Sequence, residues 1–435
     1  MMTVLGIVIF FVGILLSVAW HELGHFTTAK WFGIKVPEFM VGFGKTIWSR
    51  KRGETEFGLK AIPLGGYIRM IGMIPPAPGS DSALGRTRRT GPFQGLMDDA
   101  RRQSAMDVAP EDADRQFYLR APWKRVVVMF AGPFMNLVLA VVLFAIVLMG
   151  FGVRTYTTTV SEVSACVLPA TVAADGPPPQ CPADAPPTPA AAAGFQPGDK
   201  IVAFNGTPYE QDDWRGMQEA IRSSSGTVTV TVERDGQRLD LTPTLITTQL
   251  RDLDDPERIV DASFLGLSPL DEIQRKDLPA VAGEIGSIIS RTGEAIIALP
   301  SRVPALFGSV FLGEERDLDG PIGVVGVSRI GGEILAQDIP VGQEIAFFLQ
   351  LLAAVNISLF LFNLLPIPPL DGGQIFPALW EAVKKRIARL RGRPDPGPVD
   401  VAKLLPVAYV VALVFIAWSG LLLVADVINP VRLFQ

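Results

Sequence analysis

Four stretches of the chain are apolar for long enough to cross a bilayer, which takes about 20 residues of helix. They are 4–20, 126 to about 151, 345–365 and 404–424. The first is short but continues through residue 26. It has no basic leader and no small-residue cleavage site, so it reads as a retained membrane helix and not a signal peptide. Residues 227–232 (TVTVTV) alternate with period two and run into Asp235-Gly236, which predicts a strand and a tight turn. Residues 193–206 read as a turn, a strand and an Asn205-Gly206 turn, followed by a helix over 212–223. Residues 54–70 alternate in part around Gly65-Gly66 and predict a β-hairpin. The stretch 74–120 is polar and is expected to be mobile or loosely helical. Residues 285–299 suit an amphipathic helix on the outer membrane surface. The Gly-rich run 320–327 is too broken for a good helix, and is expected to be extended or packed against the membrane core. Together these patterns predict a membrane α-helical fold of about four transmembrane helices, a membrane-associated β-hairpin and an extracytoplasmic β-rich domain.

Composition agrees with that class. The 435 residues are 49% hydrophobic and 19% charged, with a mean hydropathy of +0.33; an average soluble enzyme is less apolar. A net charge of −5 and the lack of a basic-aromatic stripe argue against nucleic acid as a partner. Lysine and arginine crowd 45–125 and 384–393, so both stretches are expected in the cytoplasm, and 152–342 and both termini outside. The expected segments are 1–74 (first helix and hairpin), 75–125 (cytoplasmic loop), 126–152 (second helix) and 153–248 (β-rich domain). An outer or interfacial linker over 249–342 follows, then 343–376 (third helix), 377–403 (basic loop) and 404–435 (fourth helix and tail). Cys166 and Cys181 flank a Pro/Ala-rich, low-complexity stretch over 169–189; a location outside the cytoplasm would permit a disulfide between them, and two free thiols are the alternative.

The chemistry concentrates at His21-Glu22-Leu23-Gly24-His25. Histidines four apart share one helix face and can bind one metal ion, and a glutamate beside the first can serve as a base. The chain has only two histidines, and both are here. Two satisfied core histidines at a helix end are the structural alternative. Two imidazoles and a carboxylate suit one Zn²⁺ with a position left for water. The third ligand must be Asp, Glu or Cys, and Asp371 is the best placed, just after the third helix on the side of His21. Prolines and glycines around it suit chain that lines a polar cavity; the alternative is that Asp371 only caps the next helix. Asp426 is expected to be a wetted helix end at the outer face, where Glu344 also falls. Asn363 either hydrogen-bonds a substrate or packs helices. The hairpin, with Gly65, Gly66 and Tyr67, either pairs with an unwound substrate backbone or is an ordinary cytoplasmic hairpin.

These residues resemble the site-2 proteases, zinc metalloproteases that cut within the membrane. The likeness rests on His21–His25, on Gly132-Pro133-Phe134-Met135-Asn136, on 363–373 and on Gly320-Pro321-Ile322. Residues 193–206 resemble the carboxylate-binding loop and next strand of a PDZ domain. The resemblance implies His21, His25 and Asp371 as zinc ligands, Glu22 as general base, and Asn363 and the hairpin as substrate-holding parts. It also implies a multi-pass protein of a bacterial cytoplasmic membrane with its PDZ-like domain outside. Its partners would be the lipid bilayer and single-pass substrates, such as anti-sigma factors or signal-peptide remnants, already cut by an upstream extracytoplasmic protease. A single PDZ domain suits the actinobacterial members, and the Pro/Ala-rich insertion is outside the family pattern. Two other classes share some of these features. A membrane zinc transporter or metal sensor needs no Glu22, and a catalytically silent PDZ scaffold needs no complete ligand set.

Overall fold

Five helices among the described residues are long and apolar enough to cross a bilayer, one more than the hydropathy pattern predicts. The computed structural model describes residues 2–76, 94–106, 108–167, 181, 186–253, 258–314, 316, 320–334 and 339–431. The chain forms two compact units, one made of Met1–Gly150 with Asp277–Gln435 and the other of Phe151–Lys276.

The first unit begins with α1 (Met2–Trp31), which runs unbroken through the His21–His25 motif. Gly33, at φ +70°, ends it: the Ile34 N–H returns to the Ala29 carbonyl, a turn that needs the left-handed region open to glycine. Strands β1 (Glu38–Arg52) and β2 (Thr55–Arg69) follow. They pair from Arg52/Thr55 back to Thr46/Lys60, and the start of β1 pairs again with the end of β2, from Glu38/Arg69 to Val41/Gly66. The expected hairpin is thus a longer ribbon folded back on itself. The polar stretch after it contains α2 (Gln94–Met106), while 77–93 and 107 lie outside the described residues. Glu54 ties this region down, with Lys30 on one side and Arg115 at 2.8 Å on the other. The Arg115 hydrogen bonds, with Lys30, lower the Glu54 carboxyl to about 2. Helix α3 (Pro122–Ala145) starts with proline at its first position and continues as a π-helical turn over Ile146–Phe151.

The second unit is a sheet in the order β10-β3-β4-β6-β7, with β5 beside β4 and β8 paired to β9. In chain order these are β3 (Val153–Val163), β4 (Lys200–Phe204), β5 (Thr207–Pro208), β6 (Val230–Arg234), β7 (Gln237–Leu241), β8 (Ile246–Arg251), β9 (Ile259–Phe264) and β10 (Leu267–Gln274). A short α4 (Pro189–Ala193) and α5 (Trp214–Ser223) complete it. Trp214, Met217 and Ile221 place one face of α5 on a core with Phe204, Val230 and Val232. Asn205-Gly206 and Asp235-Gly236 turn at positive φ and close the β4–β5 and β6–β7 hairpins. The unit runs past residue 248, where the β-rich segment was expected to end, because β10 returns to pair with β3. The 193–206 turn is internally braced. Burial raises the Asp199 carboxyl, but hydrogen bonds from Arg234 and the Gln196 N–H outweigh it and hold the group low. Cys166 and Cys181 form a disulfide. Apart from Cys181 and 186–189, the Pro/Ala-rich insertion lies outside the described residues.

The chain re-enters the first unit with α6 (Leu278–Phe311), far longer than the predicted 285–299. Next come α7 (Val324–Ile334), α8 (Val341–Leu364), α9 (Gly372–Leu390) and α10 (Leu405–Ile428). Two expectations change here. The Gly-rich run becomes helical from Val324, and Gly331 of α7 rests on Phe10 of α1, where a Cβ would meet the ring at 3.2 Å. Asp426 is not a wetted helix end: it is 2% exposed, paired with Arg316 at 2.8 Å and with the Gly326 N–H at 2.8 Å. Glycines 323 and 326 bring α7 close enough to cover it.

Candidate metal centre

Three elements converge on one buried point. α1 brings His21 and His25 onto one face, α3 crosses it, and the chain break between α8 and α9 delivers Asp371. The closeness of α1 and α3 comes from glycine. A Cβ on Gly24 would lie 2.4 Å from the Ala131 carbonyl oxygen, and one on Gly132 would lie 2.1 Å from His25 Nε2. Trp20 Nε1 donates to the Met135 carbonyl at 2.9 Å, adding a polar tie across the same crossing.

His21 Nε2 and His25 Nε2 lie 3.1 and 3.3 Å from Asp371 Oδ2 and 3.1 Å from each other. Tetrahedral zinc with bonds of about 2.0–2.1 Å separates its ligand atoms by roughly 3.3 Å, so the triangle has the right size. The donor set agrees. His25 Nδ1–H donates to the Val128 carbonyl at 2.7 Å, which leaves Nε2 a bare lone pair. The Asn136 amide lies 3.2 Å from His21 Nδ1, and its Oδ1 is buried without a partner. Turning that amide over gives Oδ1 the Nδ1–H and frees His21 Nε2 in the same way. Two lone pairs and a carboxylate oxygen then face one another in a site where His21, Glu22 and His25 are 8%, 9% and 5% exposed. Only a cation between them turns that repulsion into attraction, and these residues fit zinc.

Glu22 sits beside the cluster and accepts a hydrogen bond from the Ile68 backbone N–H at the end of β2. Gly66, on the same segment, presses on it: a Cβ there would meet Glu22 Cγ at 3.0 Å and Val18 Cγ1 at 3.1 Å. The structure thus brings Gly66 to Glu22. Gly65, at φ +99°, lies against Phe43, and Tyr67 donates to Glu38 at 2.8 Å and stacks on Phe43. Asn363 Nδ2 donates back to the Leu359 carbonyl of its own helix at 3.0 Å, with Oδ1 left to accept.

Sequence reasoning gave no role to Gly132 and Asn136, although their spacing of four within an apolar helix puts a small and a polar residue on one face. It also passed over Ser17 and Asn356, both fully buried, whose hydrogen bond of 2.9 Å ties α8 to α1 one turn from His21.

The sequence profile of Peptidase family M50 matches residues 9–394. The chain belongs to that family. It is 36% identical over 454 residues to Zinc metalloprotease Rip1 of Mycobacterium tuberculosis (strain ATCC 25618 / H37Rv), with the whole of both chains covered. It is 35% identical over 449 residues, again across both whole chains, to Zinc metalloprotease Rip1 of Mycolicibacterium smegmatis. Identity to Metalloprotease MmpA of Caulobacter vibrioides is 28% over 417 residues, covering 92% of this chain and 91% of that one. The M50 peptidase described here is therefore a zinc metalloprotease, and its apolar helices make it a multi-pass membrane protein that acts on membrane-protein substrates.

Proposed function

We propose that His21, His25 and Asp371 hold the zinc, that Glu22 is the general base, and that the enzyme cuts a peptide bond within or near the transmembrane segment of single-pass proteins. The observation that carries this reading is the convergence of three acceptor atoms within 4.8 Å of one another, buried beside a glutamate. Zinc, when bound, polarises a carbonyl and lowers the pKa of a water towards neutrality. Glu22 would take a proton from the attacking water and return it to the leaving amine. The Ile68 N–H orients the carboxylate, and Val128 and Asn136 hold the two imidazoles in the tautomer the site needs. The Gly66–Ile68 segment beside Glu22 presents an extended substrate by strand pairing, since a helical amide is shielded from attack. Asn363 spends one amide N–H on the Leu359 carbonyl and keeps the second N–H and Oδ1 for a substrate.

The tied helix ends support the proposed sidedness. Arg125 of α3 pairs with Glu381 of α9 at 2.6 Å, Glu381 accepts from the Val399 N–H, and Arg101 pairs with Asp400 just before α10. Those ends carry the Lys/Arg-rich stretches and belong in the cytoplasm. α3 then delivers the chain to the outer face at Phe151, and α6 ends against Leu422 and Ala425 near the outer end of α10. With both of its ends outside, α6 lies along the outer face and does not cross, which keeps four spans. The Cys166–Cys181 bond suits an oxidising, extracytoplasmic side of a bacterial plasma membrane. There the PDZ-like unit offers a groove of about 90 Å³ lined by Trp214, Ile221, Arg222, Ser263 and Leu265. That groove, and not the braced 193–206 turn, is where the new end of an anti-sigma factor or similar substrate, trimmed by an upstream protease, would be met.

The test is cleavage of a truncated single-pass reporter in liposomes by native, chelator-stripped and zinc-restored enzyme. Loss on stripping and recovery with zinc are expected. Zinc uptake with no cleavage of any truncated membrane substrate would overturn the reading.

A further inference from the structure

The cytoplasmic end of α9 carries a surface that the proteolytic site does not use. Phe376, Leu379, Trp380, Val383, Ile387 and Leu390 are between 43% and 79% exposed. At about 100° per residue they fall on one stripe roughly 100° wide. The opposite face is the packed one: Pro377, Ala378 and Glu381 are buried, and Glu381 holds Arg125 and Lys385. Lys384 and Arg391 fall along one border of the apolar stripe and Arg386 along the other. None of these three forms an ion pair among the described residues, whereas Lys385 on the packed side has two carboxylate partners. The flanking cations are therefore left for something outside the chain.

Charge and shape together specify that partner. Cations alone would suit any phosphate, and an apolar stripe alone would suit any acyl chain. Cations bordering a stripe that ends in Trp380, Ile387 and Leu390 suit a molecule with both parts, in which long side chains reach headgroups while their stems stay on hydrocarbon. We propose that this face of α9 binds anionic lipid of the inner leaflet, with Lys384, Arg386 and Arg391 on the headgroups and the Phe376–Leu390 stripe on the acyl chains. The proposal rests on the sidedness argued above. It bears on the zinc site, because α9 starts at Asp371: Gly372 and Gly373 press on the backbone of 364–368, so the seat of the helix sets the position of that carboxylate.

The test uses the full chain in vesicles and does not read proteolysis, so its failure is distinct from that of the proposed activity. Trp380 reports directly. Its fluorescence, taken as the difference between the parent and W380F, is measured with dibrominated phosphatidylglycerol or dibrominated phosphatidylcholine at equal mole fraction. Stronger quenching by the brominated phosphatidylglycerol is expected, and it should weaken as salt screens the headgroups. Each cation near an anionic surface contributes roughly fivefold in affinity, so K384Q/R386Q/R391Q should abolish the preference. The charge-keeping K384R/R386K/R391K should retain it. Equal quenching by the two lipids, a preference that survives neutralisation, or loss in the charge-keeping variant would overturn the proposal. So would displacement by excess inorganic phosphate, which would mark a soluble-anion site instead.

Discussion

Two polar clusters are buried among the apolar helices, and they are built on opposite principles. At Asp426, an arginine reaches the carboxylate, and backbone groups supply the further hydrogen bonds of both side chains. Arg316 also donates to the carbonyls of Pro321 and Asn429, and Gly326 N–H donates to Asp426. At Asp371, three acceptors point at one another, and no other group among the described residues donates into the space between them. A buried charge that is paired and hydrogen-bonded needs nothing further. A buried set of like acceptors needs a cation. The contrast separates a structural clasp from a functional site without reference to motif.

The comparison can be broken in order of expected effect. Asp371→Ala removes the proposed third ligand and should abolish both cleavage and stoichiometric zinc, read by metal analysis of the purified protein. Zinc at full occupancy would remove Asp371 from the site. Gly132→Ala puts a methyl where His25 Nε2 lies, and should weaken zinc by about 10–100-fold, as loss of ligand orientation does. Competition with a chelator of known affinity reads it. Asp426→Asn strands Arg316 and should destabilise by about 3–5 kcal/mol, seen in denaturant melts, while the folded fraction keeps its zinc and activity. R316M/D426L, which removes both charges, should recover most of that loss; no apolar replacement should rescue the histidine site.

The smallest effect is at Glu54, about 1 kcal/mol given its partial exposure. Its folded pKa is depressed from 4.5 to about 2, so the stabilisation is present above about 4.5 and is lost as pH falls through about 2. Glu54→Gln should therefore lower stability at neutral pH and match the parent near pH 2. A difference that persists at low pH would assign the effect to packing.

The sequence made much of the site legible because its chemistry is written in rare residues. Only two histidines exist, and one acid follows the third apolar run among prolines. The long helices were legible for a similar reason, since about 20 apolar residues leave few alternatives. What the pattern did not show depends on pairing at a distance. Gly24 and Gly132 are ordinary glycines until α1 and α3 cross. Asp426 reads as a wetted end unless Arg316, more than a hundred residues earlier, is known to meet it. The helical fate of 324–334 was hidden by its glycines, which weaken an isolated helix but let this one lie close to Phe10 and Asp426. The ribbon's second pairing, from Glu38 to Arg69, was hidden because two-residue periodicity gives faces and not partners.

The most direct test of the central claim is Glu22→Gln, with zinc content and reporter cleavage measured on the same liposome preparation. Glu22 is a base and not a ligand in this account, so the variant should keep its zinc and lose cleavage by about 10²–10⁴-fold or more. Cleavage at the parent rate with zinc in place would contradict it.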